Sequence, residues 1–465
     1  MTSEVLSTRS TLLREFRHSK TGIAGIIILV FLISMTLYAV SSVPLESFRQ
    51  WNNPDYWIDY PKDAAPAWTN IGIFGQRIPE HIILTSQKAS VSSTNENGIR
   101  SVTYTYFINF NYDSYPTDFM VPYAAKYGQV PPVLQIDIVR PDGNEFIIYN
   151  SALPPSQSEG SAQTEFSTRI FSTDSLIIQN LRAYKNIFSY VQDESVPQVM
   201  MFSQTGEEKV LKGNYEVKEK FYLFGSSDSV EKSGLILGGK VYGLMGTDEL
   251  RRDLAIGILW GAPVALFIGL TVSLASVLIG LIYGIVAGYK GKRTDEGLMR
   301  INDLFYSLPA LPILVILSVL IGRSIFLIAA FLVIFGWVGT AKISRSLALQ
   351  LKNFQYIEAA KLMGQPDIKI IFKHIIPQLL PLTLASIAIA VPSAILAEAA
   401  LSFLGLGDPS IPTWGQILHQ ANSAQAAARG LWWWIIPPGL MIALTGLAFA
   451  LIGNAIESII NIKGR

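Results

Sequence analysis

Apolar positions in this chain gather into long runs, most of them separated by short loops carrying Lys and Arg. The runs cover residues 22–43, 254–289, 304–321, 325–340, 379–404 and 432–456. A helix needs about 20 apolar residues to cross a bilayer, so the pattern predicts an α-helical polytopic membrane protein with about six spans. The second run is too long for one perpendicular helix, which predicts tilt or an interfacial portion, with Gly261-Ala262-Pro263 as a bend. The first run follows Arg14, Arg17 and Lys20, as the core of a secretory signal would, but such a core is only about 7–15 residues long. It reads as an uncleaved anchor; the alternative is cleavage between Ala39 and Ser41.

Between the first two runs the texture changes. Segments 101–110 and 133–139 alternate apolar and polar residues with the period of a half-buried strand. Pro141-Asp142-Gly143 separates the second from 145–149 and predicts a hairpin turn, because proline fixes one dihedral and glycine accepts a positive one. Residues 154–161 read as a loop. A segment of about 200 residues can bury its own core, so 44–246 is expected to be an inserted β-rich domain.

Charge orients the chain. Lys and Arg stay on the cytoplasmic side far more often than they cross. Arg9, Arg14, Arg17 and Lys20 precede the first run; Lys290, Lys292, Arg293 and Arg300 occupy one alternate loop; Lys342, Arg345, Lys352, Lys361, Lys369 and Lys373 lie in the next; Lys463 and Arg465 end the chain. The opposing loops hold little beyond Arg323 and Arg429, and Arg251-Arg252 is the one contrary cluster. A multi-pass protein of the cell (inner) membrane, in contact with lipid, is expected, with both termini and residues 1–21 cytoplasmic and 44–246 outside.

Composition narrows the chemistry. Half of the residues are hydrophobic, 15% are charged and the formal net charge is +1, which gives no reason to expect nucleic acid as a partner. Without Cys there are no disulfides, thiolate ligands or thiol nucleophiles, and the four His are widely scattered, so no metal site is expected. The stretch from Gly234 to Gly239-Lys240-Val241 nearly spells a phosphate-binding loop, but Val241 stands where a magnesium-binding hydroxyl is needed. His81 is the one His of the 44–246 segment, which makes a Ser/His/Asp site there improbable, and no catalytic residue is predicted. Within the spans, Glu398 is costly to bury and reads either as a pathway residue or as a helix-to-helix hydrogen bond. Trp414 reads equally as an interfacial anchor or a gate, and the triplet at 432–434 as anchors.

The third basic loop, 355–377, is the most informative. Glu358, Ala359 and Ala360 favour a short helix, Gly364 can end it in the left-handed conformation, and Pro366-Asp367 suits the first turn of another. Ile368, Ile371, Phe372 and Ile375 would form its apolar side. From periodicity alone an amphipathic helix on the membrane surface is the better reading.

The same residues, Glu358-Ala359-Ala360, then Gly364, then Ile376-Pro377, resemble the EAA loop of permeases in binding-protein-dependent ABC importers. The resemblance extends to the dipeptide/oligopeptide/nickel subfamily through Gly246–Leu250 with Arg252-Asp253, and through Leu401–Gly407 followed by Pro412-Thr413-Trp414-Gly415. It is loose over the first run and does not cover the inserted segment. The family usually has Gly at Arg251 and a small or polar residue at Pro366.

The resemblance implies that 247–465 is a permease core with five spans, and that Glu358, Ala359, Ala360, Gly364 and Asp367 form a coupling helix received by an ATPase subunit. It implies a second permease subunit, two ATPase subunits and an extracytoplasmic solute-binding protein as partners. ATP and magnesium would be bound by the ATPase subunits, and no cofactor by this chain. Peptides are the leading cargo, with oligosaccharides or nickel as alternatives. A reading of another class is a membrane-anchored receptor or assembly factor with a binding ectodomain.

Overall fold

A computed structural model describes residues 19–70, 77–96, 98–155, 164–184, 197–207 and 209–462, and these fall into two compact units, Trp57–Asp253 and Met1–Tyr56 with Leu254–Arg465. The outer basic residues Arg9, Arg14, Arg17, Lys463 and Arg465, and most of the loop expected at 154–161, lie outside the described residues.

The first unit is β-rich. Nine described strands form two antiparallel sheets, one ordered β1 (Ile82–Thr85), β9 (Ser229–Leu237), β4 (Phe119–Tyr127), β7 (Thr164–Phe171). The other is ordered β2 (Ser90–Glu96), β3 (Ile99–Phe110), β8 (Gly213–Leu223), β5 (Val133–Val139), β6 (Glu145–Ala152). The alternation read from the sequence is the alternation of burial: Tyr106, Ile108 and Phe110 of β3 and Leu134, Ile136 and Ile138 of β5 enter a core shared with Val121 of β4 and Leu235 of β9. β5 and β6 pair through the expected turn, with Gly143 at φ +82 and its N–H donating to Arg140 O at 3.0 Å. Gly234 belongs to β9, and a Cβ on Gly239 would sit 2.2 Å from His81 N, so close backbone approach accounts for that glycine.

One inward position of β8 is not apolar. Glu219 is fully buried, accepts from Ser233 Oγ at 2.6 Å, and Ser233 in turn meets Tyr106 OH at 2.7 Å. The second carboxylate oxygen has no partner among the described residues, and burial pushes the carboxyl up to about 8.

The segments that lead into and out of the β unit are tied together. Ala67 N donates to Gly243 O at 2.9 Å, Ala64 N to Thr247 Oγ1 at 2.9 Å, Thr247 N to Ala64 O at 2.8 Å and Trp68 Nε1 to Leu244 O at 2.8 Å. Arg251 adopts φ +66, the left-handed region that glycine occupies freely, which explains why the resembling family favours Gly there. Here Arg251 donates to Tyr60 O at 2.7 Å and to the Asp118 carboxylate, contacts that offset a backbone cost of about 1–2 kcal/mol.

The second unit is helical. Its helices are α1 (Lys20–Ser42), α2 (Leu254–Lys290), α3 (Lys292–Ser307), α4 (Ala310–Ile321), α5 (Ile325–Leu351), α6 (Gln355–Leu362), α7 (Asp367–Ile370), α8 (Ile376–Phe403), α9 (Trp414–Ser423) and α10 (Trp432–Ile462), with a short helix Leu45–Arg49 after α1. Among the described residues, five helical stretches are long and apolar enough to cross a membrane, or six if α3 and α4 count as one span. The run expected at 304–321 is broken: Pro309 holds Leu308 extended, and α3 and α4 meet at 74°. α2 continues through Pro263 as one helix of 37 residues.

α2 and α5 pack at backbone distance. A Cβ on Gly280, Gly284 or Gly288 would lie 2.6, 2.2 and 2.5 Å from Trp337 O, Ala341 O and Arg345 O. α1 joins the bundle through Gly25, whose Cβ would meet Ala448 O of α10 at 2.8 Å.

Candidate functional site

Residues 355–377 form helix, break, helix. α6 ends when Gly364 takes φ +73, and α7 begins after Pro366, which leaves no N–H to be satisfied. Ile357 and Ala360 of α6 and Ile370, Ile371 and Ile375 beyond it share one buried cluster with Leu281, Ile285 and Tyr289 of α2, Ala348 of α5 and Leu379 of α8. The loop is therefore packed onto the ends of three apolar helices. Tyr289 OH donates to Asp367 Oδ1 at 3.1 Å, and Lys352 Nζ to Gly288 O at 3.2 Å.

Two expectations change here. Of the apolar side expected from Ile368, Ile371, Phe372 and Ile375, Ile371 and Ile375 are buried, whereas Ile368 and Phe372 are exposed and Ile370 is buried with the first two. Residues 371–375 form a π turn, whose wider winding breaks the 3.6-residue period from which the face was read. Ala360, expected together with Ala359 to meet an ATPase subunit, is buried inside the chain, whereas Ala359 is exposed. Close approach at Ala359 is thus available only to another molecule.

The outward face of the loop is apolar at its tip and charged beside it. Leu362 is 90% exposed and Met363 72%. A recess beside α6 is lined by Lys290, Lys292, Lys352, Lys361 and Glu358. Sequence reasoning missed Tyr289 and the π turn, since neither a lone tyrosine nor a change of helical winding leaves a periodic signal.

Glu398 and Trp414 lie elsewhere in the helical unit. Glu398 is buried in α8, where Ser402 Oγ donates to it at 2.7 Å and Thr413 also bonds its carboxyl. Trp414 is buried as well, its Nε1 donating to Ile258 O at 3.0 Å and its ring filling the space a Cβ on Gly261 would take. Neither side chain is exposed. Of the triplet expected as interfacial anchors, Trp433 and Trp434 are buried and Trp432 alone is exposed.

Residues 280–463 match the family model described as the binding-protein-dependent transport system inner membrane component, a range that contains the whole loop. The chain is 39% identical, over 47% of its length and 68% of the relative's, to the dipeptide transport system permease protein DppC of Bacillus subtilis. It belongs to this family of inner-membrane transport components. The oligopeptide transport system permease proteins OppC of Bacillus subtilis and Haemophilus influenzae are 35% and 36% identical, over 72% and 71% of their lengths. This permease is thus a multi-pass inner-membrane protein, and matches to such relatives span about 47% of it, leaving roughly half of the chain to be understood from its own residues.

Proposed function

We propose that this permease is a membrane subunit of an ATP-driven, binding-protein-dependent importer of peptides. The observation that carries the reading is the loop at 355–377: one face is packed onto α2, α5 and α8, and the opposite face offers Leu362, Met363 and Ala359 to a partner. A rigid element gripped on one side and exposed on the other can turn the closure of an attached protein into displacement of the helices behind it.

In this reading an ATPase subunit receives Glu358, Ala359 and Gly364, while the buried Ala360 and the bond from Tyr289 to Asp367 fix the loop from within. Two ATPases bind ATP and magnesium and hydrolyse the nucleotide; this chain performs no covalent chemistry. A second permease subunit completes the pathway, and an external solute-binding protein delivers cargo. Both termini and the loop are cytoplasmic and the β-rich unit is external, where it docks or orients the binding protein. The peptide class rests on the names of the dipeptide and oligopeptide relatives.

Two experiments test this. The full chain should copurify with its ATPase subunits; a chain that never does so is not an importer subunit. The cognate solute-binding protein, screened against peptides, oligosaccharides and nickel, should bind peptides, and preference for a sugar or the metal overturns the cargo assignment.

A further inference from the structure

We infer that the lysine-lined recess beside α6 receives an acidic segment of the same ATPase subunit that takes the tip of the loop. This rests on the importer reading and adds to it the charge of the partner's surface.

The recess has a volume of about 610 Å³. The end of α2 brings Lys290 to it, the start of α3 Lys292, the residue after α5 Lys352, and α6 Glu358, Lys361 and Leu362. Four ammonium groups therefore share the recess with one carboxylate, an excess of three positive charges. None of the four forms an ion pair among the described residues. Lys352 is held by a carbonyl, Gly288 O at 3.2 Å. Asp295, in the first turn of α3, does not offset them, because both of its oxygens accept from Arg345, at 2.5 and 2.6 Å.

The turn that carries two of these lysines is costly. Gly291 takes φ +64 and Lys292 φ +49. The second value lies in the left-handed region, where a lysine costs about 1–2 kcal/mol and glycine or asparagine fits more readily. A lysine at that position is better explained by what its side chain meets than by the turn it makes.

Lysines gathered without a counter-charge repel one another, and a surface of opposite sign relieves that repulsion on binding. Location names the bearer of that surface. Glu358, Lys361 and Leu362 line the recess and belong to α6, which also presents the exposed face offered to the ATPase, so whatever takes that face closes over the recess. A lipid phosphate fits less well, because Glu358 on the same rim repels it. A protein surface can set a cation opposite Glu358 and carboxylates opposite the lysines.

A water-soluble carbodiimide joins amines to carboxylates in direct contact, with no spacer between them. Applied to the full wild-type chain copurified with its ATPase subunits, it should link Lys290, Lys292 or Lys361 to Asp or Glu of the ATPase, read by mass spectrometry of the digested complex. The double variant Lys290→Glu with Lys292→Glu should bind the ATPase about tenfold more weakly at low salt. It should also lose less of that binding as salt rises, since screening then has less attraction to remove. Arg323→Glu, at an exposed cation between α4 and α5, controls for net charge and should bind as the wild type does. An intact complex without links to the recess lysines, or a double variant matching the wild type in affinity and salt dependence, would overturn the inference. Loss of bound phosphatidylglycerol in the double variant with ATPase affinity unchanged would assign the recess to lipid and equally overturn it. The cross-linking uses no substitution, so it decides the matter even where the double variant folds poorly. A wild-type chain that retains no ATPase sinks the importer reading and this inference together, a result distinct from a complex that forms without the recess.

Discussion

The hydroxyl of Tyr289, at the end of α2, donates to the carboxylate of Asp367, at the start of α7, across 78 positions of sequence. A neutral donor on a carboxylate is worth about 1.5–3 kcal/mol when buried; with Asp367 exposed, about 1 kcal/mol is the reasonable figure. Tyr289→Phe should therefore leave the permease folded and assembled but loosen the loop. In reconstituted vesicles, cargo moved per ATP hydrolysed should fall while ATP hydrolysis persists. An unchanged ratio would remove this bond from the coupling path.

Ala359 and Ala360 should separate cleanly. Ala360→Leu forces three extra carbons into a packed cluster, at about 1–3 kcal/mol, and should lower the yield and melting temperature of the isolated chain. Ala359→Leu should leave both unchanged and weaken ATPase association. If the two variants behave alike, the division into an inner and an outer face is wrong.

Glu219 gives the β-rich unit a pH dependence. Its carboxyl stays protonated in the folded chain up to about 8, whereas the unfolded chain releases the proton near the ordinary value of 4.5. The folded state therefore holds more protons between these values, and stability falls as pH rises through that window and levels off above it, a change on the order of a few kcal/mol. Glu219→Gln keeps an acceptor for Ser233 and removes the titration. Protease resistance of the full-length wild type and variant should match near pH 4.5 and diverge toward pH 8, with the variant the more resistant; parallel profiles would show that Glu219 does not titrate in this way.

Glu398 tests the two readings of an intramembrane acid. If it serves as a hydrogen-bonded pin for Ser402 and Thr413, Glu398→Gln should preserve uptake and Glu398→Ala should reduce the amount of assembled permease. Loss of uptake in a well-assembled Glu398→Gln variant would place the carboxylate on the transport path instead.

Much of this architecture is written in local pattern. The long helices α1, α2, α5, α8 and α10 announce themselves by length of apolar run, β5 by its alternation, and the break at Gly364 by the need for a positive φ. What escaped depends on partners far away in sequence. Ala359 and Ala360 are equivalent in composition, and only the packing of α6 on α2 distinguishes them. The hydrogen bond from Ala64 to Thr247 spans 183 positions, and nothing in either segment alone signals the other. Arg251 could be seen to depart from the family pattern, yet its compensation by Tyr60 and Asp118 lies 191 and 133 positions away.

The glycines that let α2 lie against α5 also set a limit on how this gene can drift. Every missense change in the codons for Gly280, Gly284 or Gly288 adds at least one carbon, and that carbon would stand within 2.6 Å of a carbonyl oxygen that cannot rotate out of its way. A lineage can vary the lipid-facing residues of both helices freely. It can vary this seam only by moving the helices apart, which would redraw the floor on which the loop at 355–377 rests.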